Sequence, residues 1–457
     1  MKQATILGAG LVGSLLAVLL RRRGYEVSVY ERRPDMRKAA IGAGRSINLA
    51  MSHRGWKALE LAGLRDKLEP IAIAMPGRAL HMPDGASAFQ PYGKNGEAIY
   101  SVSRGELNKA LMTAAEEAGA QIHFEQRITK VDIATNELHF DSEAAPGNSH
   151  IRTSAHSHIL FGADGAFSAL RTAYSTTDRI SSSQQYLEHG YKELNIPAGP
   201  NGEWMLERGA LHIWPRHNYM LIALPNVDGS FTCTLFFPFE GGEASFAALK
   251  TGDDVLAFFQ KNFPDAVPLM PTLVEDFLNN PTSSLVTTHV SQWHYGAQSM
   301  LIGDAAHAIV PFYGQGMNAG FEDCTVLDAL MEAHGDDWAT IMPAYQAARR
   351  PNGDAVAQLA LNNFVEMRDK VADPQFLRRK GIEKELGRRY PSHFTSVYEM
   401  VSFSHTPYSH ALHCIQSQDA LLEKIMAKGD FEEACKNERF LSELDEWMVE
   451  YAGAVAH

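Results

Sequence analysis

The residues with the plainest chemistry lie at the N-terminus, where Gly8-Ala9-Gly10-Leu11-Val12-Gly13 fits Gly-x-Gly-x-x-Gly. The first glycine of such a run permits a tight turn, and the second lets backbone approach a pyrophosphate. The third allows a helix to pack closely on a strand, and N–H groups at the helix start face the anion. Alone the pattern is weak. Here it follows the apolar Thr5-Ile6-Leu7, opens helical apolar spacing over residues 11–23, and precedes the alternating stretch Glu26–Tyr30. Strand, helix and strand are therefore predicted at this end. Glu31 follows Gly10 by about twenty residues, where a carboxylate binds ribose hydroxyls. It would repel a 2′-phosphate, which argues against NADP in this site. Arg32 and Arg33 are read either as arguing the other way, for a 2′-phosphate, or equally as solvated or stacked on adenine. The motif by itself leaves FAD and NAD open.

The elements needed to position this site can be read from pattern. Residues 107–118 read as a helix, with strands at 121–124, 137–140 and 158–161, the last running into Gly162-Ala163-Asp164-Gly165. Residues 186–240 are strand-like, with apolar runs at 211–214, 219–224 and 231–237. Met300-Leu301-Ile302 is again a strand before a glycine-rich segment, and helix dominates from Glu322 onward. No internal repeat is evident.

The chain has 457 residues, 45% hydrophobic and 21% charged, which are globular values and exclude wholesale disorder or collagen. A net charge of −13 disfavours nucleic acid and anionic lipid as partners. Four cysteines without any Cys-x-x-Cys fit free thiols better than disulfides or zinc, so no metal is expected. Residues 4–20 are uncharged, but glycines interrupt them and Arg21-Arg22-Arg23 stands where a signal peptide needs small residues. No stretch is long enough to span a bilayer. A cytoplasmic protein is expected.

Two later segments decide the cofactor by resemblance. Asp164-Gly165-Ala166-Phe167-Ser168-Ala169-Leu170-Arg171 resembles the Asp-Gly motif of the FAD-dependent aromatic hydroxylases. Gly303-Asp304-Ala305-Ala306-His307, with Pro311 and Gly314-Gln315-Gly316-Met317-Asn318, resembles their Gly-Asp motif. The resemblance implies tightly bound FAD. Asp304 would hold the ribityl chain, Gly316, Met317 and Asn318 would lie beside the isoalloxazine, and Arg104 near the phosphates. Gly8, Gly10, Leu11, Val12, Gly13, Glu31, Arg32, Arg45, Ile128 and Asp164 complete the implied cofactor set. His307 is read as packing or hydrogen-bonding within the motif rather than as an acid–base group.

The resemblance narrows further. Arg45-Ser46-Ile47-Asn48-Leu49-Ala50, Pro91-Tyr92-Gly93, Leu211-His212-Ile213-Trp214-Pro215 and Phe231-Thr232-Cys233-Thr234-Leu235-Phe236 are similar to the kynurenine 3-monooxygenase family. So is the run Val310-Pro311-Phe312-Tyr313-Gly314-Gln315-Gly316-Met317-Asn318. The similarity extends from the first strand to about Tyr408. It implies L-kynurenine as substrate, with NADPH a transient co-substrate and O2 the oxidant, through a C4a-hydroperoxyflavin. Arg78 and Tyr92 match positions for the substrate carboxylate, a task suited to an arginine fork. Asn363 and Tyr398 match the remaining polar contacts. Leu224, Phe236, Met367 and the catalytic pair Pro311 and Phe312 would wall the ring. No second Gly-x-Gly-x-x-Gly follows a strand, so NADPH has no Rossmann unit of its own.

The expected fold is α/β. A discontinuous Rossmann-like FAD-binding domain takes 1–180 and 290–335, with 71–97 contributing to the substrate site. A β-rich substrate domain takes 181–289, and a helical region takes 336–457. Tyr313 stands where relatives vary between His and Phe, which leaves its role open. Eukaryotic members end in a membrane-anchoring tail, and residues 418–457 show no such run. Phe440, Leu441, Leu444, Trp447, Met448 and Tyr451 fall at helical spacing opposite an acidic face. That face is expected to cover the substrate domain or a neighbouring subunit, and a homodimer is compatible with it. The alternatives are a same-fold hydroxylase of another aromatic acid and a flavin-bearing interaction protein. A halogenase would carry Trp-x-Trp-x-Ile-Pro, which Ile213-Trp214-Pro215 does not supply.

Overall fold

The apolar residues of Gln3–Leu7 form a strand buried from Ala4 onward, and the chain turns directly into the helix Leu11–Arg22. The computed structural model describes residues 2–38, 47–93, 96–141, 152–153, 158–177, 179–370 and 373–455. Glu26–Tyr30 returns parallel to the first strand, with Ile6 opposite Val29, and Ile159–Gly162 flanks its other side, with Ile6 opposite Phe161. The sheet runs His294–Tyr295, Ser299–Leu301, Ile159–Gly162, Gln3–Leu7, Glu26–Tyr30, Gln121–His123. Its neighbours pair in parallel except at the His294–Tyr295 edge. A mostly parallel sheet is covered on both faces, which is why the central strands Ile159–Gly162 and Ser299–Leu301 are buried throughout, whereas Glu26–Tyr30 nearer the edge alternates. The helix Arg104–Glu117 begins ahead of its expected start because Ser103 caps it, its hydroxyl accepting from Glu106 N.

A second sheet of seven strands runs Ser283–Val290, Ser182–Ile196, Phe231–Pro238, Tyr219–Pro225, Ala210–Arg216, Gly77–His81, Ser87–Pro91. Here side chains alternate between two cores, as the two-residue period of a strand dictates. Leu221, Ala223, Leu235 and Phe237 pack under the helices Gly252–Asn262 and Leu273–Asn279. Those helices were not legible as such in a stretch read as β-rich. Thr251 and Asp254 start the first with a reciprocal capping box, and Val255 and Phe259 give it an inward face. On the opposite face Met220, Leu224 and Phe236 meet Phe312, Phe364 and Met367, and this face borders the site.

The helices Gly316–His334 and Trp338–Val365 lead to a C-terminal group, Pro374–Arg389, Val397–Ser402, Tyr408–Met426 and Glu438–Val455. Phe440, Leu444, Met448 and Tyr451 are buried, but against Ile382, Leu386, Phe394, Leu421, Leu422 and Ile425. The apolar stripe of the last helix thus closes a core made by the C-terminal helices themselves rather than covering the substrate sheet. Among the described residues no helix is long and apolar enough to cross a membrane.

Candidate active site

The glycines of the first turn divide by what surrounds them. Gly8 has φ +96°, and a Cβ on it would meet Ala163 O at 2.6 Å. A Cβ on Gly13 would meet Gly8 O at 2.0 Å, so this glycine serves the close approach of helix to strand. Gly10 differs: among the described residues, beyond its own chain neighbours, no atom lies within 4 Å of where its Cβ would be. The open space beside it is part of a cavity. Glu31 is buried, accepts from Ala9 N at 3.0 Å, and is gripped by Arg33 at 2.8 Å. Burial opposes its charge, yet Arg33 and the two N–H groups hold its carboxyl below the usual range. Arg32 is exposed, and Ile128 is half-buried in the strand Arg127–Asp132; neither lines the cavity. Arg45 lies outside the described residues.

The cavity, of about 330 Å³, is continuous across both sheets. Gly10, Leu11, Val12, Arg104, Asp304, Gly316 and Met317 line it, and so do Arg78, Tyr92, Leu224, Phe236, Pro311, Phe312, Asn363, Met367 and Tyr398. Asp164 sits among the lining residues Ala163, Gly165 and Ala166. One of its carboxylate oxygens accepts from Ala169 N at 2.6 Å, while the other is buried without a partner among the described residues. Burial raises its pKa. Gly316 opens a 19-residue helix with no side-chain cap and no acidic residue in its first turn, leaving N–H groups free for an anionic or electron-rich group. Asn318 is buried and used internally: it accepts from Ser52 N at 2.9 Å and donates to Ala50 O and Gly314 O. An open glycine, an orphaned carboxylate oxygen, an uncapped helix start and Asp304 on one cavity wall are a donor and acceptor set that fits FAD.

Arg78 is buried on Gly77–His81. Its guanidinium lies 5.3 Å from the Tyr92 ring centre and 4.9 Å from that of Tyr398. Those rings stack at 5.2 Å and 15°, and Tyr313 stacks against Tyr398 at 5.6 Å and 19°. Among the described residues Arg78 Nε is buried without a hydrogen-bond partner, and the Tyr92 hydroxyl is close to Arg78 and Tyr398 without hydrogen-bond geometry to either. Burial opposes the Arg78 charge, but the oxygens of Tyr398 and Tyr92 and the Glu366 carboxylate more than offset it, and the guanidinium stays charged. A buried cation with an unspent donor is built to receive a carboxylate. Beside it, Phe312 stacks on Phe364 at 4.0 Å and tilts against Phe236 at 4.8 Å, a wall for an aromatic ring. Asn363 holds that wall, donating to Phe312 O at 2.6 Å.

Met220 and Ile222 also line the cavity, unnamed from sequence. The signal was present, since on a strand they share the face of Leu224. The Tyr313 stack carries no such signal, because it joins residues from distant segments. His307 does not line the cavity. It meets Asp323 at 2.6 Å and lies flat on Trp293 at 5.0 Å.

The family model described as FAD binding domain matches residues 1–360. A kynurenine 3-monooxygenase of Flavobacterium psychrophilum is 50% identical over 425 residues, covering 93% of this chain and 94% of its own. One from Christiangramia forsetii is 46% identical over 449 residues, covering 98% of each. Among solved structures, the tetrameric form of 2-methyl-3-hydroxypyridine-5-carboxylic acid oxygenase superposes with a TM-score of 0.65 over 83% of this chain and 95% of its own, at 19% identity, a likeness of fold alone. With nearly the whole chain matched at this identity, the protein belongs to the kynurenine 3-monooxygenase family of FAD-binding-domain proteins.

Proposed function

We propose that this protein hydroxylates L-kynurenine to 3-hydroxy-L-kynurenine, consuming NADPH, a proton and O2 and releasing NADP+ and water. The observation that carries the reading is the charged, buried Arg78, with an unspent N–H, in the same cavity as the nucleotide cradle. FAD, when bound, supplies the redox chemistry that activates oxygen. Gly10 and Leu11 admit its pyrophosphate, Arg104 neutralises the phosphates, and Asp304 accepts from the ribityl chain. Gly316 and Met317 present helix N–H groups to the ring system, favouring negative charge there.

Arg78 binds the substrate carboxylate, assisted by the Tyr92 hydroxyl, which burial keeps protonated and so able to donate. Tyr398 covers that pair. Leu224, Phe236, Pro311, Phe312 and Met367 fix the plane of the aromatic ring and keep water from it. No side chain is assigned as a base, because the amino group of the ring itself activates the position ortho to it. In this reading NADPH is a transient visitor and the protein acts in the cytoplasm.

The test is the product formed from L-kynurenine, NADPH and O2, identified by mass and retention against authentic 3-hydroxykynurenine. NADPH oxidation that kynurenine stimulates without that product would leave the flavin reading standing and remove the substrate.

A further inference from the structure

Gln418 is buried on the helix Tyr408–Met426 and does not line the cavity. Its side-chain amide nevertheless bonds to both sides of one short backbone segment. Nε2 donates to Thr395 O at 2.7 Å, and Oε1 accepts from Val397 N at 3.3 Å. The remaining Nε2 hydrogen goes to the Tyr451 hydroxyl at 3.0 Å, on the last helix, whose ring also packs against Phe394. The residue after Val397 is Tyr398.

The helix that carries Tyr398 is only six residues long, Val397–Ser402, so it has little internal hydrogen bonding to hold its first turn. Ser396 and Glu399 form a capping box, Ser396 Oγ accepting from Glu399 N and the Glu399 carboxylate accepting from Ser396 N. That box leaves Val397 N without a partner, and Gln418 supplies one. A buried amide therefore sets the start of the helix, and the helix sets the Tyr398 ring against Arg78, Tyr92 and Tyr313.

We propose that Gln418 is a positioning residue for the substrate carboxylate, acting through Tyr398, with Tyr451 orienting the Gln418 amide. This rests on the reading of the cavity as a kynurenine site. A misplaced Tyr398 ring uncovers Arg78, admits water to the guanidinium and weakens its hold on a carboxylate, while the flavin cradle is untouched.

Gln418→Leu keeps the side-chain bulk and removes both backbone bonds. Each such loss is worth about a tenfold effect or more at a buried site. The expected result is a KM for L-kynurenine raised about tenfold, with flavin content unchanged and kcat altered far less. Amide exchange at Val397 should accelerate together with it. The decisive arm is the double variant. If Gln418 acts through Tyr398, then Gln418→Leu in a Tyr398→Ala background adds almost nothing to KM. Effects that multiply would overturn the proposal, and so would an unchanged exchange rate at Val397, a readout that holds whatever the substrate proves to be. Should Gln418→Leu not fold, Tyr451→Phe removes only the orienting hydroxyl. It should shift KM in the same direction by a smaller factor, and an unchanged KM and exchange rate there overturn the mechanism equally. An unmodified protein without kynurenine turnover would instead fail the functional reading, leaving the backbone clamp to the exchange measurement.

Discussion

His81 and His212 meet ring to ring, Nε2 to Nδ1, at 3.0 Å on adjacent strands of the substrate sheet. His212 Nε2 faces Glu207 O at 2.8 Å. A carbonyl only accepts, so Nε2 carries the hydrogen and Nδ1 is the acceptor for His81. On its other side His81 meets Asp265 at 3.0 Å.

Acid should weaken this arrangement. Burial, with the neighbouring His81 adding to it, lowers the His212 pKa from 6.5 to about 4. The unfolded chain therefore takes a proton here near pH 6.5, and the folded chain only near 4. Stability from keeping this ring neutral is full above pH 6.5, falls as pH drops below it, and stops changing below about 4. The span amounts to roughly 3 kcal/mol. Urea unfolding across this window, in the parent and in His212→Asn, should show the acid slope reduced in the variant. Equal slopes would sink the assignment.

Arg78→Lys should behave much more like Arg78→Ala than a conservative exchange suggests. An ammonium lacks the planar fork and its contact with both the Tyr92 and the Tyr398 ring. Loss of a charge-assisted contact to a buried carboxylate costs on the order of 2–5 kcal/mol. Steady-state kinetics should show the kynurenine KM rising steeply with flavin content unchanged, and a KM within twofold of the parent, on the order of 0.4 kcal/mol, would place the carboxylate elsewhere.

Two glycines in one turn should separate folding from cofactor binding. Gly10→Ala meets no protein atom, so the chain should fold and lose flavin affinity; Gly13→Ala drives a methyl into Gly8 O and should disrupt the strand–helix packing itself. Asp304→Ala belongs with Gly10→Ala, weakening flavin retention by about 1–3 kcal/mol. Flavin absorbance after dialysis, read beside far-ultraviolet circular dichroism, distinguishes the classes. A folded, flavin-retaining Gly10→Ala protein would contradict the cradle.

Arg349 is buried between Asp323, at 2.7 Å, and Glu322, at 2.6 Å, and Glu322 in turn pairs with Arg54. Asp323 also accepts from Gly303 N, directly before Asp304. Arg349→Leu would leave a buried carboxylate short of its partner, a loss of about 3–5 kcal/mol. Calorimetry should show a clearly lowered melting temperature, and flavin should leave more readily because the Gly303 turn is loosened. A variant that melts like the parent would make this network dispensable.

Much of this was readable in the residues. The first turn was legible because Gly8, Gly10 and Gly13 are local and stand between an apolar strand and a helical pattern. Leu224 came to the cavity wall through the family resemblance, and the two-residue period of its strand extends that wall to Met220 and Ile222. What stayed hidden depends on contacts between distant segments. Arg33 turns back to grip Glu31, which spacing alone assigned to a ribose. The stripe on the last helix was correctly apolar, but its partner was ambiguous, since an amphipathic face states that it is covered and not by what. Tyr398 and Gln418 show the same limit, because a clamp between two helices leaves no periodic trace.

The strand Gln3–Leu7 sits at the middle of its sheet, yet its neighbours arrive from residues 26–30 and 159–162, with 299–301 beyond them. Gly77–His81 likewise waits for Ala210–Arg216 before it gains its parallel partner. On the ribosome the first strand gains its second neighbour with residues 159–162, and its sheet stays unfinished until residues 299–301 have been made, a delay of tens of seconds at roughly 5–20 residues per second. Cutting the chain within residues 163–181 would not release two folding halves, because each sheet takes strands from both sides of that cut. The nascent protein thus carries apolar edges through most of its synthesis, and both sheets can close only late and nearly together.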